Sequence, residues 1–573
     1  MSTLRKTLSL LLLVCVATGC GGGAVEESDA AFGSRAADPG WFTDITDETG
    51  PEFVHDAGGS GELLMPEIMG AGAALFDYDG DGDLDAYLVQ GHSGPGGAAV
   101  ADRPINRLYR QEPDGRFTDV TGSSGLGDGG YGMGVAVGDV DNDGQPDVYV
   151  SNFGPDRLYR NRGDGSFEDV TDRAGIRVDG WSTSAAFFDY DRDGFLDLYV
   201  ARYVVHDAGQ SCFDEAGRPD YCSPQVFRPE RDVLLHNEGD GTFRDVSRAS
   251  GISAAAGSGL GVVCEDLDDD GWIDVFVAND GNANQLWINL EDGTFRDEAL
   301  VRGVAYNLTG DAEAGMGVVA ADFDGDLTYD LFLTHLRFES NTLYRNLGGS
   351  GGFSDVSGES GLASSSLPYT GFGTVAFDVE LDGDLDLAVV NGRVQRGEPI
   401  AGARPSGPWR DYAEPNLLHL GDGGGRFADG CGRASAFCAP VEITRGLASG
   451  DVDADGDLDL LVSNLQGPAR LLRNDAPRQG RWLVLRAVDP RYSRDAYGAR
   501  VTVHAGGRRF VRTIGGGFSY LSSSDPRAHF GLGPASAVER IEVRWPDGLR
   551  ERFFGGEVDR ARTLSRGTGR ASP

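Results

Sequence analysis

The sequence predicts an all-β protein: a seven-bladed β-propeller over residues 41–475, closed by the N-terminal strand, then a small all-β domain at 480–556 and a tail at 557–573. Three observations carry this reading. An acidic loop motif recurs seven times, a strand motif follows each of the first six copies, and the unfinished seventh repeat finds its missing strand at the other end of the chain. Composition agrees. Glycine makes up 87 of 573 residues, which favours tight turns over long helices, and 40% hydrophobic residues suffice for a packed core.

Residues 1–20 begin with Arg5-Lys6, continue with an apolar run from Leu8 to Val16, and end on Ala17-Thr18-Gly19-Cys20. A basic start, a short apolar stretch and small residues describe a secretory signal peptide, too short to anchor as a membrane span. The ending resembles a bacterial lipobox, in which Cys20 is lipidated and becomes the first mature residue. Ala17 stands where a larger aliphatic residue is usual, and cleavage after Gly19 is the alternative. Residues 21–40 are small, polar and acidic, and read as a flexible tether. The expected location is therefore the bacterial cell envelope, held by lipid alone, or the secreted space.

The loop motif is Asp-x-Asp-x-Asp-Gly-x-x-Asp. Its first three copies are Asp77, Asp79, Asp81 and Asp85; Asp139, Asp141, Asp143 and Asp147; and Asp189, Asp191, Asp193 and Asp197. The fourth is Asp266, Asp268, Asp270 and Asp274, and the fifth Asp322, Asp324, Asp326 and Asp330. The sixth is Asp378, Glu380, Asp382 and Asp386, and the seventh Asp451, Asp453, Asp455 and Asp459. Carboxylates at alternate positions turn toward one point, Gly at position six permits the sharp turn, and position seven offers a backbone carbonyl. Oxygen donors alone suit Ca²⁺ better than Mg²⁺ or Zn²⁺, so up to seven calcium ions are expected. Two copies depart from the pattern: the fifth has Leu327 in place of Gly, and the sixth has Glu380 at position three. Asp-rich turns that cap their own backbone amides are the alternative for a single copy; seven copies in register favour the ion.

The strand motif in full form is Leu158-Tyr159-Arg160-Asn161, Asp164-Gly165 and Phe167-Glu168-Asp169-Val170. Each repeat then holds four short strands, as at Ser184–Phe188, Leu196–Ala201, Val233–His236 and Phe243–Val246 in the third. Four strands per repeat fit the blades of a propeller. The seventh repeat stops after Leu471-Leu472-Arg473-Asn474, and Phe42-Thr43-Asp44-Ile45 is one orphan copy of the strand it lacks. Joining the two closes the ring and removes two sheet edges.

These residues resemble the FG-GAP/VCBS repeats of integrin-α-like propellers. Beyond them, Gly515-Gly516-Gly517-Phe518-Ser519-Tyr520-Leu521, His529-Phe530-Gly531-Leu532-Gly533 and Val543-Arg544-Trp545-Pro546-Asp547-Gly548 look like the ASPIC/UnbV domain that follows such propellers in the cartilage acidic protein family. The resemblance implies a secreted, calcium-binding protein and supplies no catalytic residue. From residue 476 onward there are 18 Arg against 9 acidic residues, in a chain whose net charge is −40. The basic domain should dock on the acidic propeller or meet an anionic ligand.

The overall charge opposes nucleic-acid binding. Lys6 is the only lysine, which excludes Schiff-base and P-loop chemistry after signal removal. Long insertions at 91–103, 202–230 and 392–415 all fall between second and third strands, hence on the face opposite the acidic loops. Cys212 and Cys222 are expected to pair, as are Cys431 and Cys438, while Cys264 reads as a small buried hydrophobe. Arg393, Arg396, Trp409 and Arg410 form a candidate patch for sugars or anions. The leading reading is a binding or adhesion module whose insertion face meets a polysaccharide or an envelope protein. The alternative is a propeller enzyme, a polysaccharide lyase or biosynthetic catalyst, with His92, Arg202, Tyr203 and His206 at its central funnel.

Overall fold

The computed structural model describes residues 40–92 and 103–572. The signal segment, Cys20 and all but the end of the tether lie outside them, as does most of the 91–103 insertion. Seven four-stranded antiparallel sheets follow the seven repeats. In the third the strands are Ser182–Phe188, Asp197–Arg202, Val233–Asn237 and Phe243–Asp245, each within two residues of its predicted bounds. The last sheet takes Thr444–Gly450, Asp459–Asn464 and Arg470–Asn474 from the end of the repeat region and Phe42–Asp44 from its start, with Phe42 opposite Asn474. Each innermost strand packs on the next, and the last of them packs on the first. The ring is thereby closed.

Inter-sheet cores of Val, Leu, Phe and Tyr fill the joints. A second device repeats at six of the seven. The side-chain amide that ends each third strand donates to a loop carbonyl of the preceding sheet: Asn161 to Tyr78, Asn237 to Val140, Asn289 to Tyr190, Asn346 to Leu267, Asn474 to Val379 and Gln111 to Val452, at 2.7–2.9 Å. This explains the Asn of the Leu-Tyr-Arg-Asn motif. At the fifth-to-sixth joint the equivalent residue is Gly421, and a backbone amide, that of Gly425, donates to Phe323 instead at 3.0 Å.

The C-terminal domain is two sheets around one core. Trp482–Asp489 pairs with Arg494–Asp495, with Ala528–Gly531 and, in parallel, with Arg560–Ser565. The second sheet runs Arg508–Thr513, Arg500–Ala505, Val538–Arg544, Arg550–Gly556 and Arg570–Ala571. Leu483, Val501, Val503, Phe530 and Trp545 lie between them. The expected tail at 557–573 is therefore corrected: both of its strands belong to the domain. Only Leu564 is buried within Arg560–Ser565, so the segment shows no apolar alternation from which a strand could be read.

The docking expectation also holds, with an addition that the charge balance does not reveal. A segment at 515–526 enters the propeller axis and bonds to the exposed edges of the innermost strands. Leu521 accepts from the Val135 amide at 3.0 Å and donates to Ser184 Oγ at 3.0 Å. Ser519 exchanges backbone bonds with Val318, Ser523 donates to Ala73, and the Ser449 amide donates to Ser524 Oγ. Tyr520 is fully buried and its hydroxyl donates to the Met69 carbonyl at 3.1 Å. Gly72 marks how close the plug lies: a Cβ there would sit 1.7 Å from the Leu521 carbonyl oxygen.

Candidate metal centres

All seven acidic loops share one backbone. Position six is left-handed in each, with φ between 79° and 99°, and position four is left-handed too, from Ala454 at 57° to Gly80 and Gly325 at 78°. Glycine at position six meets this need in six loops, and Leu327 meets it in the fifth at φ 79°, a strained conformation for a side chain with a Cβ. The left-handed fourth position escaped sequence reading because Asn142, Arg192, Asp269, Leu381 and Ala454 hold it in five loops.

The carboxylates divide their work. At position nine every Asp accepts two backbone amides, one from position two of its own loop and one from the end of the third strand. Asp147 accepts from Val140 and Asn161 at 2.8 Å each, and Asp459 from Val452 at 2.9 Å and Asn474 at 2.8 Å. At position five the carboxylate accepts from the amide of position seven in all seven loops, at 2.7–3.0 Å. Position one folds over the turn, as where Asp139 accepts from Asp143 and Gly144.

An Asp-rich turn without an ion would make these same bonds. It would not leave oxygens buried and unpartnered. Asp141 Oδ1, Asp189 Oδ1, Asp266 Oδ1 and Glu380 Oε2 are in that state, in four different loops. Carboxylate oxygens of positions one, three and nine lie within 4.8 Å of one another at Asp77, Asp79 and Asp85, and likewise in the second, third and fourth loops. Burial first, then the neighbouring carboxylates, raises their pKa values. Asp139, Asp189 and Asp451 are pushed up to about 7, and Asp85 and Asp330 to about 8. Buried oxygens without donors, converging within bonding reach of one point, fit a hard divalent cation.

The surroundings of the loops differ. A basic side chain from the third strand reaches position three in the second and fifth loops, where Arg160 lies 3.4 Å from Asp141 and Arg345 lies 3.1 Å from Asp324. His236 takes that place in the third, 3.5 Å from Asp191. The C-terminal domain adds arginines from outside: Arg544 pairs with Asp266, Arg500 with Asp269, and Arg508 with Asp384 at 2.5 Å.

On the opposite face both expected disulfides form, Cys212–Cys222 with Cα atoms 5.1 Å apart and Cys431–Cys438 with 5.6 Å. Cys264 is free and only partly buried. The insertions at 202–230 and 392–415 pack on each other, the Tyr412 hydroxyl donating to Asp220 at 2.6 Å. The sugar-binding patch is corrected in consequence. Arg393 is buried against Glu414 at 2.9 Å and Arg396 pairs with Asp411 at 3.1 Å, leaving Arg410 as the exposed member. Opposite charges in these loops hold the loops themselves together.

The four enzyme candidates do not line an open funnel. Tyr203 donates to Asp280 at 2.5 Å, Arg202 pairs with Glu230 at 2.5 Å, and His206 packs on Phe153, Trp181 and Phe227. His92 packs edge-on to Tyr131. The axis beside them is filled by Met69, Met133, Leu260, Met316, Phe372 and Tyr520, all at most 2% exposed.

The FG-GAP-like repeat matches residues 77–150, 142–200, 213–277 and 266–333, and the ASPIC and UnbV domain matches 489–571. Cartilage acidic protein 1 from Xenopus tropicalis is 27% identical over 545 residues, which is 90% of this chain and 75% of that protein. The Homo sapiens protein is 27% identical over 537 residues, 90% of this chain and 73% of its own length. Among solved structures, the BP39L lectin of Burkholderia pseudomallei superposes with a TM-score of 0.40 and 12% identity, over 71% of this chain and 97% of the lectin. A lectin of Agrocybe aegerita, described as recognising non-reducing terminal N-acetylglucosamine, gives a TM-score of 0.36 and 16% identity over 65% of this chain and 88% of its own. Both are too distant in shape to bear on a ligand here. With the two modules in this order and nine-tenths of its length aligned to one relative, the chain is an FG-GAP-repeat propeller with a C-terminal ASPIC and UnbV domain, homologous to cartilage acidic protein 1.

Proposed function

We propose that this protein is a calcium-stiffened binding module, working outside the cytoplasm, whose insertion face meets a polysaccharide or an envelope protein. The observation that carries the reading is the set of buried, unpartnered carboxylate oxygens in loops that fold alike around a closed ring. Oxygen-rich sites of this kind suit Ca²⁺, with the fifth loop weakened by Leu327 and the sixth altered by the longer Glu380. The ions and the C-terminal domain share one face, the plug fills the axis, and the long insertions stand on the other face of a rigid ring. Loops on a rigid scaffold are the usual place for recognition. The two disulfides agree with an oxidising compartment. No helix of the described residues is long and apolar enough to cross a membrane. Lipidation at Cys20 would tie the module to a bacterial envelope, and loss of a radiolabelled palmitate signal in Cys20→Ser tests that anchor.

The binding experiment uses the mature chain as bait for envelope and extracellular material, with Ca²⁺ or with chelator. A partner retained with Ca²⁺ and lost when Arg410 and Trp409 are replaced supports the reading. A partner retained equally in chelator, or a glycan changed in mass with nothing retained, contradicts it.

A further inference from the structure

Most of the arginines in the C-terminal domain have carboxylate partners. Arg481 pairs with Asp559 at 2.6 Å, Arg486 with Asp495 at 2.6 Å, and Arg491 and Arg566 both reach Asp489. Among those that have none are three exposed arginines and one half-buried one, Arg509, Arg550, Arg570 and Arg562. These four surround a single surface, the outer face of the five-stranded sheet.

Strand register lays that surface out. In one row Arg509, His504, Arg540 and Phe554 stand opposite one another across four strands. The next row holds Thr502, Glu542, Arg552 and Arg570, and the third Arg500, Arg544 and Arg550. Directly opposed residues share a face, and neighbouring strands are about 4.8 Å apart. The alternate residues Val501, Val503, Ile541, Val543 and Phe553 are in the core, so these rows face away from it, and at the third row Arg500 and Arg544 meet Asp269 and Asp266 of the propeller.

Glu542 is the one carboxylate in the three rows. It serves Arg540 at 3.1 Å, Arg552 at 3.1 Å and His504 at 3.2 Å, and so leaves the face with a surplus of positive charge. Phe554 is 70% exposed, with the Arg570 guanidinium 4.8 Å from its ring centre. Arg562 donates to the Phe554 carbonyl at 2.7 Å; burial and the neighbouring charge of Arg560 lower its pKa, as expected beside a surface already rich in cations. At its lower margin the face runs into a cleft of about 580 Å³ against the fourth and fifth loops, where Asp269 and Asp326 form the far wall. An anion therefore belongs on the outer rows and not on the propeller side of the cleft.

We infer that this sheet face is a binding site for an acidic polysaccharide. Guanidinium groups take carboxylate or sulfate oxygens in bidentate pairs, and an exposed aromatic ring gives a sugar ring an apolar platform. Repeated cations at strand spacing match repeated anions along one chain. The large negative charge on the remainder of the protein disfavours a long nucleic-acid duplex passing the domain. The site lies apart from the insertion face and does not depend on what that face holds.

The probes are heparin and polygalacturonate, titrated against the mature protein in Ca²⁺ at low salt, with neutral dextran and duplex DNA as comparators. The inference predicts that at least one acidic glycan binds and dextran does not. Arg550→Ala/Arg552→Ala/Arg570→Ala should weaken that binding about tenfold or more, because each lost charge-assisted bond matters. Glu542→Gln frees two arginines and should tighten it. Failure of both glycans to bind, DNA binding as tightly as the glycans, or unchanged affinity in the folded triple variant overturns the inference. Should the triple variant not fold, the absence of tightening in Glu542→Gln overturns it instead.

Discussion

The two faces of the ring are built on opposite plans. On the acidic-loop face, seven segments of different sequence adopt the same φ angles and make the same carboxylate-to-amide bonds. On the insertion face the two described long connections differ from each other, and they are held by a disulfide, by Tyr412 on Asp220 and by Arg393 on Glu414. Chemistry that repeats around a closed ring serves the ring. Chemistry that occurs once is free to serve a partner.

Removing the ions should break this contrast most severely. One site binding only the folded state adds about 2.7 kcal/mol at a free Ca²⁺ concentration 100 times Kd, so several sites together should move the melting temperature by on the order of 10–20 °C. Differential scanning calorimetry with Ca²⁺ and with excess chelator measures it. Single changes on the insertion face should have no comparable effect.

The pH dependence of the ion-free protein follows from the raised carboxyl pKa values. Groups such as Asp85, Asp139 and Asp451 stand at about 7–8 in the fold against 3.8 ordinarily. A raised carboxyl contributes stability that is complete below its unfolded value and is lost as pH rises through the folded one. In chelator the melting temperature should therefore fall between pH 5 and pH 8. With Ca²⁺ present the fall should vanish, since the cation stabilises the ionised form.

Within one loop, position nine should matter more than position three. Asp147→Ala orphans two buried amides and should cost about 3–5 kcal/mol, whereas Asp141→Ala in chelator should stay within about 1 kcal/mol. Urea titration of both variants decides. Similar costs for the two would mean that the ninth carboxylate is no backbone staple.

A smaller gain is expected where the repeat departs from its own rule. Leu327→Gly relieves a left-handed residue and should stabilise the protein by about 1 kcal/mol or less, part of the gain being returned as unfolded-chain entropy. It should also raise the affinity of the fifth loop for Ca²⁺. On the other face, Arg410→Ala should leave stability within about 0.5 kcal/mol and alter only partner retention.

What could be read from the sequence follows the same division. The loops and strands were legible because their chemistry sits in side chains: Asp at alternate positions, Gly at the turn, apolar residues in short runs. The split last sheet was legible because Phe42-Thr43-Asp44 repeats the lost strand. The plug was not, since residues 515–526 reach the inner strands largely through backbone atoms and serine hydroxyls, which Gly515-Gly516-Gly517 does not advertise. Arg560–Ser565 was missed because a strand with one buried residue shows no alternation. The candidate sugar patch is smaller than its sequence suggests for a third reason: Arg393 and Arg396 find their carboxylates at Glu414 and Asp411, and composition does not tell a paired arginine from a free one. The joint amides Asn161 to Asn474 were visible as a motif, but their role appears only when neighbouring sheets are placed side by side.

The most direct test of a calcium-stiffened ring counts the ions. Native mass spectrometry of the mature protein, saturated with Ca²⁺ and then stepped through increasing chelator, gives the number bound and can be read beside the melting temperature at each step. Five to seven ions are expected, the lower figure if the fifth and sixth loops stay empty, with stability falling as they leave. One ion or none, or a melting temperature indifferent to their loss, would contradict it.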